Sequence, residues 1–174
     1  SVKMPILLAH STPDPKLLSE YHQVAVETNS MSNEDWQRTH VFYWAVQCFH
    51  CLGLAQYVAI LFHKYFGIKY GDFYEELINY FTANDQTLVG RQVAIVINIV
   101  AESMNGGRLD LIMSRFGNIY WPLEEAAFLN LVMSKDGLYK EMKGFAEYLV
   151  HKSGTGAPEG LLDDLILYQS SIVV

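Results

Sequence analysis

The chain has 174 residues, of which 51% are hydrophobic, 13% aromatic and only 18% charged. That balance excludes disorder, and the 12 Gly and 5 Pro exclude low-complexity and collagen-like chains. The net charge is −7 and the 12 Lys and Arg are scattered, which argues against nucleic acid and against an anionic membrane surface as partners.

Length suits one domain. There is more apolar material than one core of this size needs, so a sizeable interface or a missing part of the protein is expected. The two cysteines, Cys48 and Cys51, are too few for a disulfide framework and point to a reducing, cytoplasmic setting. Residues 1–20 hold Pro5, Asp14, Pro15 and Lys16 and no secretory signal. With Ser1 at one end and Val173-Val174 at the other, the chain reads as a piece of a longer protein.

Residues 1–31 read as an irregular, partly extended lead. Thr12-Pro13-Asp14-Pro15 opposes helix there, and a short helix is expected over 16–21. Residues 32–174 read as a single helical domain. Ser32 caps a helix start, with Asp35 three residues on in a capping-box variant. No Pro occurs from there to Phe66, and Gly67 is a natural stop. A continuous helix over 33–66 would be about 50 Å long, with Gly53 the place for a bend or a close crossing. The stretch 41–62 has no Lys, Arg, Asp or Glu. A central core helix is favoured over a membrane span, because Gln47, His50 and Gln56 interrupt it and its flanks lack anchoring charge.

Asp72 then caps a short helix to about residue 81. Residues 86–104 place Val89, Val93, Val96, Ile97 and Val100 at helical spacing, with a strand as the competing reading. Residues 108–121 alternate apolar and polar and fit a small β-hairpin turning at Gly117-Asn118. Pro122 opens a helix to about residue 133. Another follows over 138–151, and a last one starts at Pro158. The expectation is a mainly all-α fold of about six helices around the long central one.

Candidate chemistry is sparse. Cys48-Phe49-His50-Cys51 offers weak metal candidates in Cys48, His50 and Cys51, but zinc needs four ligands and no second pair exists. Core cysteines are the simpler reading. His40, His50 and His63 lack the spacing of three or four that metal-binding helices use. Trp36, His40, Tyr43, Trp44 and Gln47 form an aromatic stripe with polar handles. It reads either as core packing or as the wall of a ligand pocket or interface, with Trp121 completing it. No phosphate loop or nucleophile elbow occurs, and Glu75-Glu76, Glu124-Glu125 and Asp163-Asp164 suit helix starts. No catalytic residue is assigned.

Several segments carry a family resemblance. They are Asn33-Glu34-Asp35-Trp36-Gln37-Arg38, Val41 through Gly53, Tyr70-Gly71-Asp72-Phe73-Tyr74, Trp121-Pro122-Leu123-Glu124-Glu125-Ala126, and Leu161 through Gln169. Their order and texture, over about 33–169, resemble the region C-terminal to the catalytic core in cobalamin-binding radical S-adenosylmethionine proteins of the magnesium-protoporphyrin monomethyl ester oxidative-cyclase-like group. The resemblance implies a parent oxidoreductase or methyltransferase with an iron–sulfur cluster, S-adenosylmethionine and cobalamin. None of these cofactors is expected in this chain, since a cluster needs three or four thiolates and no cobalamin-binding Asp-x-His-x-x-Gly occurs. The implied role is an accessory domain that docks on upstream domains of its own chain and helps shape the substrate site. Trp36, His40, Trp44 and Trp121 are then the docking or substrate face. The alternative is a self-contained homodimeric helical module that binds an apolar ligand or a protein.

Overall fold

The computed structural model describes residues 1–173 and is mainly α-helical, with seven α-helices and two small antiparallel sheets among those residues. Helix α1, Asn33–Ala45, starts as the sequence dictates. The Ser32 hydroxyl accepts from Asp35 N–H at 3.1 Å, and the Asp35 carboxylate accepts from Ser32 N–H at 3.1 Å. The Ser32 hydroxyl also donates to the Asp35 carboxylate at 2.8 Å, and this bond, then the one from Ser32 N–H, holds the Asp35 carboxyl below the usual carboxylate range.

The single helix expected over 33–66 is corrected here. After α1 the chain winds into a π-helical turn, Val46–Cys51, leaves helix at Leu52, and re-enters it as α2, Gln56–Phe66. The two segments meet at 94°. Gly53 makes the corner with φ +87°, a left-handed conformation that side chains with a Cβ rarely adopt. The charge-free run therefore goes round a corner, and among the described residues no single helix is long and apolar enough to cross a membrane.

The lead is more ordered than expected. Strand β1, Val2–Pro5, pairs antiparallel with β2, Tyr21–Val24, in the register Val2↔Val24. Met4 and Val26 are buried and anchor it. The short helix expected at 16–21 is absent. Asp14 instead organises a turn, its carboxylate accepting from Lys16 N–H at 2.8 Å. The lead is stitched to the rest through His10 N–H to the Tyr120 carbonyl and Tyr120 N–H to the Ser11 carbonyl.

Helix α3, Tyr70–Ala83, starts before Asp72, with Lys69 as its cap. Residues Leu88–Ser103 form helix α4, so helical spacing wins over the strand reading. Its first amides are held from a distance: Leu88 and Val89 N–H donate to the Glu141 carboxylate at 2.7 and 3.0 Å. Gly90 lets α4 pass close to the end of α3, where an added Cβ would lie 2.2 Å from the Asn84 carbonyl oxygen. Strands β3, Asp110–Ile112, and β4, Tyr120–Pro122, make the expected hairpin, with Leu111 opposite Trp121.

Helix α5, Leu123–Val132, follows directly, with Pro122 as its cap rather than its first residue. Helix α6, Lys135–Ser153, begins earlier than expected, because burying Leu138 and Tyr139 outweighs the helix-breaking tendency of Gly137. Helix α7, Leu161–Ile172, starts after a turn closed by Leu161 N–H to the Pro158 carbonyl, not at Pro158 itself. The core is aromatic, built on Trp44, Phe49, Phe62, Phe73, Phe81 and Phe145. The accessible surface is 9816 Å², against about 8,600 Å² for a monomer of this mass.

Candidate functional site

Helical spacing does bring Trp36, His40 and Trp44 onto one face of α1, and that face is mostly internal. Trp36 and Trp44 are buried. The His40 ring stacks on Trp36 at 3.7 Å between centroids, and its Nδ1 lies 3.1 Å from the Trp36 carbonyl oxygen. Trp44 Nε1–H donates to the Leu123 carbonyl at 3.3 Å, fastening α1 to the start of α5. His40, Tyr43 and Trp44 share a cleft of about 170 Å³ with Leu7, Leu123 and Glu124. Trp121 does not line that cleft. It sits on the hairpin, where its Nε1–H donates to the Phe116 carbonyl at 3.0 Å and its ring meets His10 edge-on at 5.2 Å. His10 in turn pairs with Glu125 at 2.7 Å.

The Cys-Phe-His-Cys segment forms the π-helical turn, a geometry often found at functional sites. Cys48 is buried and Cys51 exposed. Burial pushes the Cys48 thiol up, and Glu124 adds to it, so this sulfur stays protonated. His50 Nδ1 lies 2.8 Å from the Tyr74 hydroxyl, and the ring meets Tyr70 and Tyr74 edge-on. Burial, then Cys51 and Tyr70, raise the Tyr74 phenol, so it keeps its proton and can donate to a neutral His50. His50, Tyr70 and Tyr74 line an open, mostly apolar depression of about 450 Å³ with Phe42, Val46 and Ile60. In the sequence Tyr70 and Tyr74 stand out only within the resemblance and not as site residues; their spacing of four puts them on one face of α3, but nothing local ties that face to His50.

Beyond Phe42 the same side of α1 borders a second apolar cavity, of about 300 Å³, between α1, α3 and α4. Val41, Ile78, Ile97 and Val100 line it, and Arg38 paired with Glu75 at 2.9 Å stands at its edge. These depressions can hold apolar groups, but they carry no acid–base pair of displaced pKa. Among the described residues no three His, Cys, Asp or Glu side chains converge to hold a metal. An iron–sulfur cluster does not fit: of two thiols, one is buried and held protonated.

No family model matches the chain. Two curated proteins do align. One is a cobalamin-dependent radical SAM methyltransferase, TokK, of Streptomyces tokunonensis, 24% identical over 94% of this chain and 25% of that protein. The chain is similar to cobalamin-dependent radical SAM methyltransferases. The other is the 2-(S-pantetheinyl)-carbapenam-3-carboxylate methyltransferase of Streptantibioticus cattleyicolor, 34% identical over 45% of this chain and 11% of that protein. The chain thus spans a quarter or less of the length of either relative.

Proposed function

We propose that this chain is the C-terminal accessory domain of a cobalamin-dependent radical S-adenosylmethionine methyltransferase of the cytoplasm. It docks on the catalytic core and helps shape the substrate site, while cluster, S-adenosylmethionine and cobalamin are held elsewhere. The observation that carries this is the extent of the TokK alignment, nearly all of this chain against a quarter of that enzyme. The composition of the site agrees with it, since the clefts along α1 are apolar and the thiols do not fit a cluster. Both relatives are methyltransferases, which favours methyl transfer over the oxidative cyclisation of the group that the sequence resembles.

The test is the complete reading frame that encodes this chain. Its purified product should show an iron–sulfur EPR signal on reduction and bind a corrinoid. Removing residues 33–173 should abolish methyl transfer while S-adenosylmethionine cleavage persists. A reading frame with neither cluster nor corrinoid refutes the proposal. The cavity between α1, α3 and α4 favours one second reading, a free-standing homodimeric module for an apolar ligand.

A further inference from the structure

Helix α7 is covered on one side only, and its uncovered side carries large apolar side chains beside Asp163, Asp164 and Ser171. Of its residues Leu165 and Gln169 are buried, and Leu162 and Ile166 pack partly against the core. Leu167 and Tyr168 stand 69% and 52% exposed, and Ile172, four residues beyond Tyr168, is also exposed. A helix normally turns such apolar side chains toward a packing partner. Its neighbour α2 continues the surface. Tyr57, Leu61 and Tyr65 recur at intervals of four, the Tyr57 ring meets Tyr168 edge-on at 5.0 Å, and Tyr65 is 53% exposed. The two helices are locked together beneath this surface, because Gln169 bonds to both Gly53 and Tyr57.

We propose that this outward face of α2 and α7, centred on Tyr65, Leu167, Tyr168 and Ile172, is where the catalytic core of the same polypeptide seats. The inference rests on the accessory-domain reading and says which surface does the docking. It also moves that role away from Trp36 and Trp44, which are buried, Trp36 stacked on His40 and Trp44 bonded to the start of α5. The occupant follows from the relatives, which continue for three quarters or more of their length beyond the aligned stretch. The face is partly aromatic, and exposed Lys64, Asp163 and Asp164 interleave with its apolar groups, the mixture of apolar and polar area that protein interfaces carry. Among the ionic side chains of α2 and α7 are one Lys and two Asp, and Asp163 is already paired with Lys143. That balance is wrong for an anionic lipid surface, which recruits clustered cations.

Hydroxyl-radical footprinting of the full reading-frame product, beside the 174-residue chain, decides the matter. Tyr65 and Tyr168 should react readily in the short chain and lose most of that reactivity in the full product, whereas exposed Tyr43 serves as the reference. The double variant Leu167→Glu, Tyr168→Glu should leave the short chain folded and lower its melting temperature by no more than about 6 °C, since both positions are exposed and the Tyr57–Tyr168 ring contact is what is lost. In the full product it should restore reactivity at Tyr65. Equal reactivity of Tyr65 and Tyr168 in both proteins, with a radical core present, overturns the face assignment and leaves the accessory-domain reading standing. A full product without such a core overturns the reading itself. Dimerisation of the short chain in sedimentation, abolished by the double variant, overturns the proposal in favour of a second copy on this face.

Discussion

Gln169 should be among the most sensitive polar positions in the domain. Its side chain is fully buried, yet both ends are used. Oε1 accepts from Tyr57 N–H at 2.8 Å, and Nε2–H donates to the Gly53 carbonyl at 2.7 Å. Those two backbone groups flank the corner between the π-helical turn and α2, where helical partners are missing. Gln169→Leu keeps the volume and deletes both bonds. An unsatisfied buried backbone group costs about 1–3 kcal/mol, so two cost about 2–6 kcal/mol. The added apolar burial offsets about 1–2 kcal/mol of that. A net loss of about 3 kcal/mol corresponds to a fall in melting temperature of roughly 6–12 °C for a domain of this size. Gln169→Asn, too short to span both groups, should fall between. Urea titration with an unchanged slope measures it. If Gln169→Leu unfolds within about 0.5 kcal/mol of the parent, which is the range of ordinary surface changes, the corner does not depend on this amide.

Two glycines should both resist substitution, to different degrees and for different reasons. Gly90→Ala places a Cβ 2.2 Å from the Asn84 carbonyl oxygen and 2.8 Å from the Asp85 Cα, both backbone; separation of α3 from α4 at a cost of about 3 kcal/mol is expected, the upper range for overpacking. Gly53→Ala meets nothing within 4 Å and should incur only left-handed strain, at a cost of about 1–2 kcal/mol; thermal melts that rank the two the other way would contradict this. At alkaline pH the buried phenols set the limit. Burial pushes Tyr139 up to about 12 and raises Tyr74 as well, while an unfolded Tyr titrates near 10. Stability from these groups is complete below about pH 10 and declines as pH rises toward 12, by about 2–3 kcal/mol for Tyr139 alone. Tyr139→Phe should flatten that decline, and a urea midpoint constant from about pH 9 to pH 11.5 would rule it out.

What could be read from the sequence was what is decided locally. The capping box at Ser32 and Asp35 involves residues three apart, and the structure keeps it. The helical spacing of Trp36, His40 and Trp44 correctly placed them on one face. Whether that face is inside or outside depended on Leu123, 79 residues beyond Trp44, and no local pattern encodes that. The corner at Gly53 was marked by its glycine, but the continuous helix was the wrong expectation. The groups that make a break tolerable lie far away: Tyr139 bonds to the Leu54 carbonyl from 85 residues off, and Gln169 from further still. The excess of aromatics over charge announced some exposed apolar surface without locating it. The obvious candidates, two of the tryptophans, went to the core, and the surface fell to tyrosines and leucines whose period on α2 and α7 is equally compatible with burial.

The long-range caps have a consequence for how the chain is made. Synthesis runs at about 5–20 residues per second, so the 116 residues between Gly53 and Gln169 take roughly 6–23 s to emerge. During that interval the corner lacks its amide, and the start of α4 waits for Glu141 on α6. The early helices can form in turn, but the amide that fastens the corner between α1 and α2 arrives only with α7. Slowing translation between the codons for Gly53 and Gln169 would lengthen the time the charge-free stretch spends without that amide at its corner.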